Sequence, residues 1–305
     1  QNDSKILLNY FKYSILIILF GIIGQFLYFA ISGKFAFLLG YYNRFSIPGA
    51  NPIQVSRYLA IGATIMTVYI IRRSVFYNIS NFLILLALLL AIIATGSRGP
   101  LISIFLGILC YAYLFEKQHK KRMYLYVSFA IIIAFSLLII LPEIITKRFF
   151  DITQGAVLLT PEGVKHVSTV ATRLDYWQMS IESWFSSLWN NLLGLGAGGF
   201  SSLFIWRDWR WYPHNVFFEV LVEYGSIGII IFISFLIISY KKISEGLVEG
   251  IFTDHSAVWV AVTLVMFFSA QFSGDINDNR VLWMLIGITI ASTHVDQVKN
   301  IKVVP

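Results

Sequence analysis

Apolar residues fall in long runs along this chain, separated by short charged stretches. Eight runs are long enough, or nearly so, to cross about 30 Å of hydrocarbon. They lie near 13–32, 55–71, 75–95, 100–115, 123–141, 214–240, 256–272 and 280–294. Backbone facing lipid must satisfy its own hydrogen bonds, and no stretch alternates like a barrel strand, so the runs are expected to be helices. The pattern predicts an all-α fold: a polytopic membrane helix bundle of about eight spans with one large extracytoplasmic loop. Its parts are N-terminal membrane helices over 1–141, the loop over 142–213, and C-terminal membrane helices over 214–305.

The connections alternate in character. Lys5 with Lys12, Arg72 with Arg73, the run Glu116 to Arg122, Lys241 with Lys242, and Lys299 with Lys302 are short and basic. Such segments stay in the cytoplasm, which puts both termini there. Segments 33–54, 96–99, 142–213 and 273–279 then face out. On that topology the inner side carries nine lysines and three arginines. The outer side carries three lysines and eight arginines: Arg44, Arg57, Arg98, Arg148, Arg173, Arg207, Arg210 and Arg280. Topology needs only positive charge, so a bias toward arginine points to planar, bidentate recognition of phosphate or carboxylate. Local pairing with the ten outer acids is the plainer alternative.

With 57% hydrophobic and 13% charged residues, the chain has more apolar surface than a soluble domain hides. The net charge of +7 sits in short clusters between apolar runs, so no nucleic-acid partner is expected. The single cysteine, Cys110, excludes a disulfide framework or a cysteine metal site within one chain. The first apolar run lacks a small-residue cleavage site and is followed by more spans, unlike a signal peptide. A start at Gln1 rather than Met fits a chain lacking its native N-terminus.

The richest stretch for chemistry is Tyr212 to Gly228. Pro213 suits the first turn of a helix, which sets His214 and Asn215 at its mouth. Asn215, Glu219 and Glu223 recur every four residues and share a face. Two carboxylates in a spanning helix suggest a function, or buried partners for arginines elsewhere. The segment 142–213 is too long for a simple loop. It holds Trp177, Trp184, Trp189, Trp206, Trp209 and Trp211, six of the eight tryptophans. Residues 173–192 are expected to form an amphipathic helix in the membrane interface, with Trp177, Ile181, Trp184 and Leu188 on one side. An aromatic belt explains the tryptophans; stacking on sugar rings is the sharper alternative.

Gly194 to Phe200 looks like a phosphate loop but lacks the Lys-Ser/Thr ending and a preceding strand. It is read as a turn that lets backbone approach something closely. Thr95 to Pro100 is a tight outer turn that opens a second helix N-terminus, and such termini favour anions. Ser273 to Arg280 carries Asp275 and Asp278. Two carboxylates without a third ligand argue weakly for a cation; pairing with arginine or hydrogen bonds to a sugar serve equally well. No histidines pair at metal-ligand spacing, so neither metal nor cofactor is expected.

Taken in order, these pieces resemble the bacterial O-antigen ligase and O-antigen polymerase family. The matching features are Asn51-Pro52-Ile53 with Arg57, Thr95 to Gly99, Thr172-Arg173 with Tyr176-Trp177, Gly194 to Phe200, and Tyr212 to Asn215 with Glu219, Glu223 and Gly225. Family members usually have more than eight spans. The resemblance implies a metal-independent, inverting glycosyltransferase at the outer face of the bacterial inner membrane. Its donor is a glycan on undecaprenyl pyrophosphate. The acceptor is another lipid-linked glycan in polymerases, lipid A core in ligases, and a protein hydroxyl in related oligosaccharyltransferases. The look of Gly274 to Arg280 favours a polymerase. His214 is the expected base, with Asn215 and Glu219 orienting it or the acceptor. Arg98 and Arg173, then Arg210 and Arg57, are the expected pyrophosphate ligands; Glu223, Asp275, Asp278 and Arg280 are the expected acceptor or sugar contacts. The competing class is a transporter or flippase in which Glu219 and Glu223 relay ions. Against it, no inverted repeat is visible and the charges gather on one face. A non-catalytic scaffold would not need the arginine bias.

Overall fold

Long apolar runs become long helices. A computed structural model describes residues 2–32, 50–72, 79–116, 156–160, 163–167, 169–204, 211–246 and 253–301, with single positions at 121, 124, 125, 128, 132, 136 and 139. The helices are α1 (Asn2–Ile31), α2 (Pro52–Arg72), α3 (Ile79–Ala94), α4 (Arg98–Leu114), α5 (Thr169–Phe185), α6 (Leu188–Leu193), α7 (Val216–Glu245), α8 (Asp254–Ser269) and α9 (Arg280–Ile301). Strands β1 (Ala156–Thr160) and β2 (Gly163–Val167) pair antiparallel, from Ala156 opposite Val167 to Thr160 opposite Gly163. Helices in α1, α2 and α7 are long and apolar enough to cross a membrane, while α3, α4 and α8 are apolar but shorter. The run expected at 123–141 lies mostly outside the described residues.

The chain divides into two units. The first takes Gln1–Phe149, Lys242–Ser269 and Leu282–Pro305; the second takes Phe150–Lys241 and Ala270–Val281. In the first unit, α2 is apolar nearly all round and is buried on most of its length, as such a helix must be. It packs on α3 and α8, and α8 packs on α4. A Cβ added at Gly107 of α4 would lie 2.7 Å from the Val265 backbone of α8. That is the close helix approach small residues permit in membranes. Thr263 and Thr289 join α8 to α9 through a 2.7 Å hydroxyl bond.

Arg72, read in the sequence as a basic residue of a cytoplasmic connection, also has specific partners. Its side chain, 7% exposed, bonds Glu116 at 2.7 Å and Asp254 at 3.0 Å, and the Tyr111 hydroxyl donates to the same Glu116 oxygen. Breaking such a pair strands a buried charge, at about 3–5 kcal/mol.

In the second unit a small core forms around Tyr176, Phe200 and Val222, with Met179, Leu195, Leu203, Phe204 and Trp211 against it. The amphipathic helix expected over 173–192 is broken at Ser186–Ser187. Ser187 caps α6 by accepting the Asn190 N–H at 3.1 Å, so the chain restarts rather than continues. A short 3-10 turn follows at Gly199–Leu203. The long helix α7 is interrupted too. Gly225 has φ 63° and ψ −160°, which splits α7 into a short N-terminal piece and a long remainder.

Candidate active site

The mouth of α7 is built by three consecutive residues. Pro213 was expected in the first helical turn, but α7 begins at Val216. Asn215 is the cap: its Oδ1 accepts the N–H groups of Phe217 (2.9 Å) and Phe218 (3.3 Å). His214 stands just outside with φ 60°, the one non-glycine among the described residues with positive φ. A histidine there carries backbone strain, and strain of that kind gathers at functional sites.

Aromatic rings hold the imidazole. Tyr176 of α5 lies parallel to it, with centroids 6.2 Å apart and planes 7° apart. Tyr212 meets it at 4.3 Å, tilted by 59°. The Trp177 indole donates to the Pro213 carbonyl at 3.0 Å and its ring stacks on Phe218, which ties α5 to the turn. His214 Nδ1 is buried and has no hydrogen-bond partner among the described residues. Burial pushes the imidazole down to about 4, helped by the Arg173 guanidinium nearby. His214 is therefore neutral at pH 7. Burial also pushes the Tyr176 phenol up, to about 12, with Asp175 adding to it. The Tyr212 phenol rises by burial too, with the negative charges of Asp278 and Asp275 adding to it.

The segment 270–281 closes around this mouth. Val216 N–H donates to the Ala270 carbonyl at 3.2 Å, and Asn215 Nδ2 to the Gln271 carbonyl at 3.4 Å. Glu219 is 4% exposed and its Oε1 accepts the Ile276 N–H at 3.1 Å. Asp275, 3% exposed, shapes the turn: its Oδ1 accepts the Asp278 N–H at 2.7 Å, and its carbonyl accepts from the Asn279 side chain at 2.8 Å. Arg280 begins α9 and is exposed.

One turn deeper, the glycine loop answers the break at Gly225. The N–H groups of Leu195 and Gly196 donate to the carbonyls of Val222 and Glu223, both at 2.9 Å. Ser226 Oγ donates to the Asn191 carbonyl at 2.8 Å. The loop thus supplies the hydrogen bonds an interrupted spanning helix lacks. The reading of Gly194 to Phe200 as a close-approach turn holds, and its target is α7.

The structure thus gathers His214, Asn215, Glu219, Arg173, Asp275 and Asp278 in the second unit, with Glu223, 4% exposed, a turn further along α7. Arg57, 4% exposed on α2, and Arg98, half-buried as the first residue of α4, belong to the first unit. Arg210 lies outside the described residues. Tyr176 and Tyr212 fall within the motifs but carry no predicted role; only the fold brings their rings against the imidazole. Among the described residues no three His, Cys, Asp or Glu side chains gather as a metal-ligand set.

The apolar helices are those of an integral membrane protein, with a histidine-bearing candidate site at the mouth of a helix long and apolar enough to cross a membrane. Residues 82–233 match the family model of O-antigen ligase, and through that segment the chain belongs to the O-antigen ligase family. The match takes in Arg98, Arg173, the glycine loop, His214, Asn215, Glu219 and Glu223, and ends before Asp275. The family carries out membrane glycan transfer of the O-antigen ligase and polymerase type, on lipid-linked glycans. No curated protein matches the chain.

Proposed function

We propose that the protein transfers a glycan from undecaprenyl pyrophosphate to an acceptor hydroxyl at the outer face of the bacterial inner membrane. The carrying observation is His214: a neutral imidazole, Nδ1 buried with no partner among the described residues, in a strained turn beside Arg173. In the reaction the acceptor oxygen bonds to the anomeric carbon as the carbon–phosphate oxygen bond breaks. The hydroxyl proton passes to the imidazole, and undecaprenyl pyrophosphate leaves from the opposite face, inverting the centre. Arg173 stabilises charge growing on the leaving phosphates. Arg98 at the start of α4, Arg57 and Arg210 are further candidate phosphate ligands. Asn215 and Glu219 act as positioning residues, and Glu219 holds the 270–281 turn. Asp275, Asp278, Arg280 and Glu223 are the candidate acceptor contacts. An acidic turn beside the site suits a hydroxyl-rich glycan acceptor, which favours polymerisation over ligation.

Depth supports this reading. Lys241 and Lys242 follow Tyr240 at one end of α7. About 20 residues span the hydrocarbon, so its other edge falls near Leu221. Asn215 then stands roughly 9 Å beyond that edge, level with lipid headgroups, where a lipid-borne pyrophosphate lies. The proposed topology has eight spans, both termini in the cytoplasm and residues 142–213 outside. In a Cys110→Ser background, single cysteines at Ser97, Thr160 and Ser273 should react with a membrane-impermeant thiol reagent in spheroplasts. Cysteines at Gln118 and Ser244 should not, and the opposite pattern overturns the outer-face assignment. Transfer itself requires release of undecaprenyl pyrophosphate from donor and acceptor by the purified protein; an unconsumed donor refutes it.

A further inference from the structure

Helix α6 is built inside out. Its four apolar residues, Leu188, Trp189, Leu192 and Leu193, are all exposed, the first two at 70%. At 100° per residue they cover an arc of about 140°. Its two polar residues fall outside that arc and are half-buried, and Asn191 Oδ1 accepts from Ser226 Oγ at 3.4 Å. Asn190 Nδ2 donates to Ser186 Oγ at 2.8 Å. The Asn191 carbonyl accepts from Trp184 Nε1 at 2.9 Å and from Ser226 Oγ at 2.8 Å. In water that arrangement is upside down; against hydrocarbon it is the expected one. On α5, Leu174, Ile181 and Phe185 are also exposed and fall within about 40° of arc. Gln178 and Glu182, bonded to each other at 2.7 Å, lie at the edge of that strip.

The depth of α6 is fixed by backbone contact. A Cβ added at Gly225 of α7 would lie 2.5 Å from the Leu192 carbonyl carbon and 2.7 Å from the Gly194 nitrogen. Gly225 is about four residues, or roughly 6 Å, inside the hydrocarbon edge placed near Leu221. Helix α6 therefore lies beside the break at Gly225 and Ser226, and α7 exposes Ile227, Ile230 and Ile231 just past that break.

We infer that α6 and the apolar edge of α5 are embedded in the acyl layer of the bilayer, a shallow re-entrant segment beneath the site, with membrane lipid as its partner. This rests on α7 being a spanning helix and not on glycan transfer. The position of that exposed apolar face beside Gly225, inside the hydrocarbon edge of α7, selects lipid over a protein partner.

The test places single spin-labelled cysteines at Leu188, Trp189, Leu192 and Leu193 of the full chain, in the Cys110→Ser background, in vesicles of phosphatidylethanolamine and phosphatidylglycerol. Collision rates with oxygen and with a water-soluble nickel chelate are compared with labels at Ile230 and Glu182. All four are exposed, so each tolerates the label independently. The inference expects oxygen to dominate at the four sites as at Ile230, with nickel dominating at Glu182. Nickel dominance on α6 overturns it while leaving Ile230 in hydrocarbon and the spanning reading intact. Nickel dominance at Ile230 overturns both. Protection from both reagents, or spin–spin broadening between copies, means protein covers α6 and also overturns it.

Discussion

His214→Ala is expected to insert, fold and bind donor nearly normally, yet to turn over roughly 10² to 10⁴ times more slowly. That is the contribution of a positioned general base. The pH dependence carries a second signature. Burial first, and Arg173 second, hold the imidazole at about 4 rather than near 6.5. The wild-type kcat/KM should thus stay level as pH falls from 8 to about 5, with no inflection near 6.5, since this profile reports the free enzyme. Donor phosphates bring negative charge to the imidazole and neutralise Arg173, and both raise its proton affinity. The inflection in kcat should accordingly lie above that in kcat/KM. Arg173→Gln should move the free-enzyme inflection upward. Stability follows the same linkage. The unfolded chain takes up this proton near 6.5 and the folded chain only near 4, so stability falls as pH drops through that window. Steady-state rates of wild type and His214→Ala across pH decide the matter. A His214→Ala enzyme of near-normal activity reduces His214 to a turn residue.

Gly225→Ala and Gly194→Ala should be the most damaging small changes in the second unit. Both glycines have positive φ, at 63° and 73°, which costs an ordinary residue about 1–2 kcal/mol. At both, an added Cβ also runs into backbone: Leu192 and Gly194 at the first, Glu223 and Tyr224 at the second. Backbone cannot rotate away like a side chain, so the clasp of loop on α7 must open. That would leave the carbonyls of Val222 and Glu223 without their loop donors, at about 1–3 kcal/mol each. A total loss of about 3–8 kcal/mol follows, reaching the range of exceptional single substitutions. Gly196→Ala is the matched control. Its φ is 88°, but nothing lies within 4 Å of an added Cβ. Thermal unfolding in detergent, followed by tryptophan fluorescence, should show a large fall in Tm for the first two and a small one for the third. Equal falls for all three mean that strain alone acts and the clasp contributes nothing.

The apolar runs made most helices legible, because a segment facing lipid or a membrane core has few alternatives to a helix. What hydropathy could not show is where a helix is interrupted by one dihedral angle. Gly225 sits inside the largely apolar run over 214–240, and only the loop some thirty residues earlier shows why it is there. The start of α7 was misplaced by three residues for the same reason: the turn depends on a left-handed histidine, which no periodicity encodes. The amphipathic stretch over 173–192 was visible, but not that Ser187 would restart the helix and leave the apolar residues of α6 exposed. Arg72 read as a topological charge because its partners Glu116 and Asp254 lie 44 and 182 residues away. The candidates His214, Asn215 and Arg173 came from motifs, whereas the rings of Tyr176 and Tyr212 that frame the imidazole depend on packing between segments.

The most direct measurement of the central claim follows a defined undecaprenyl-pyrophosphate glycan with the purified protein in liposomes. Acceptors are supplied one class at a time, and both free undecaprenyl pyrophosphate and glycan product are quantified. The account predicts stoichiometric release of undecaprenyl pyrophosphate with a lipid-linked glycan acceptor, inversion at the new linkage, and loss of both products in His214→Ala. Donor that crosses or leaves the bilayer with its glycan still attached, in wild type and variant alike, would contradict it and point to a carrier.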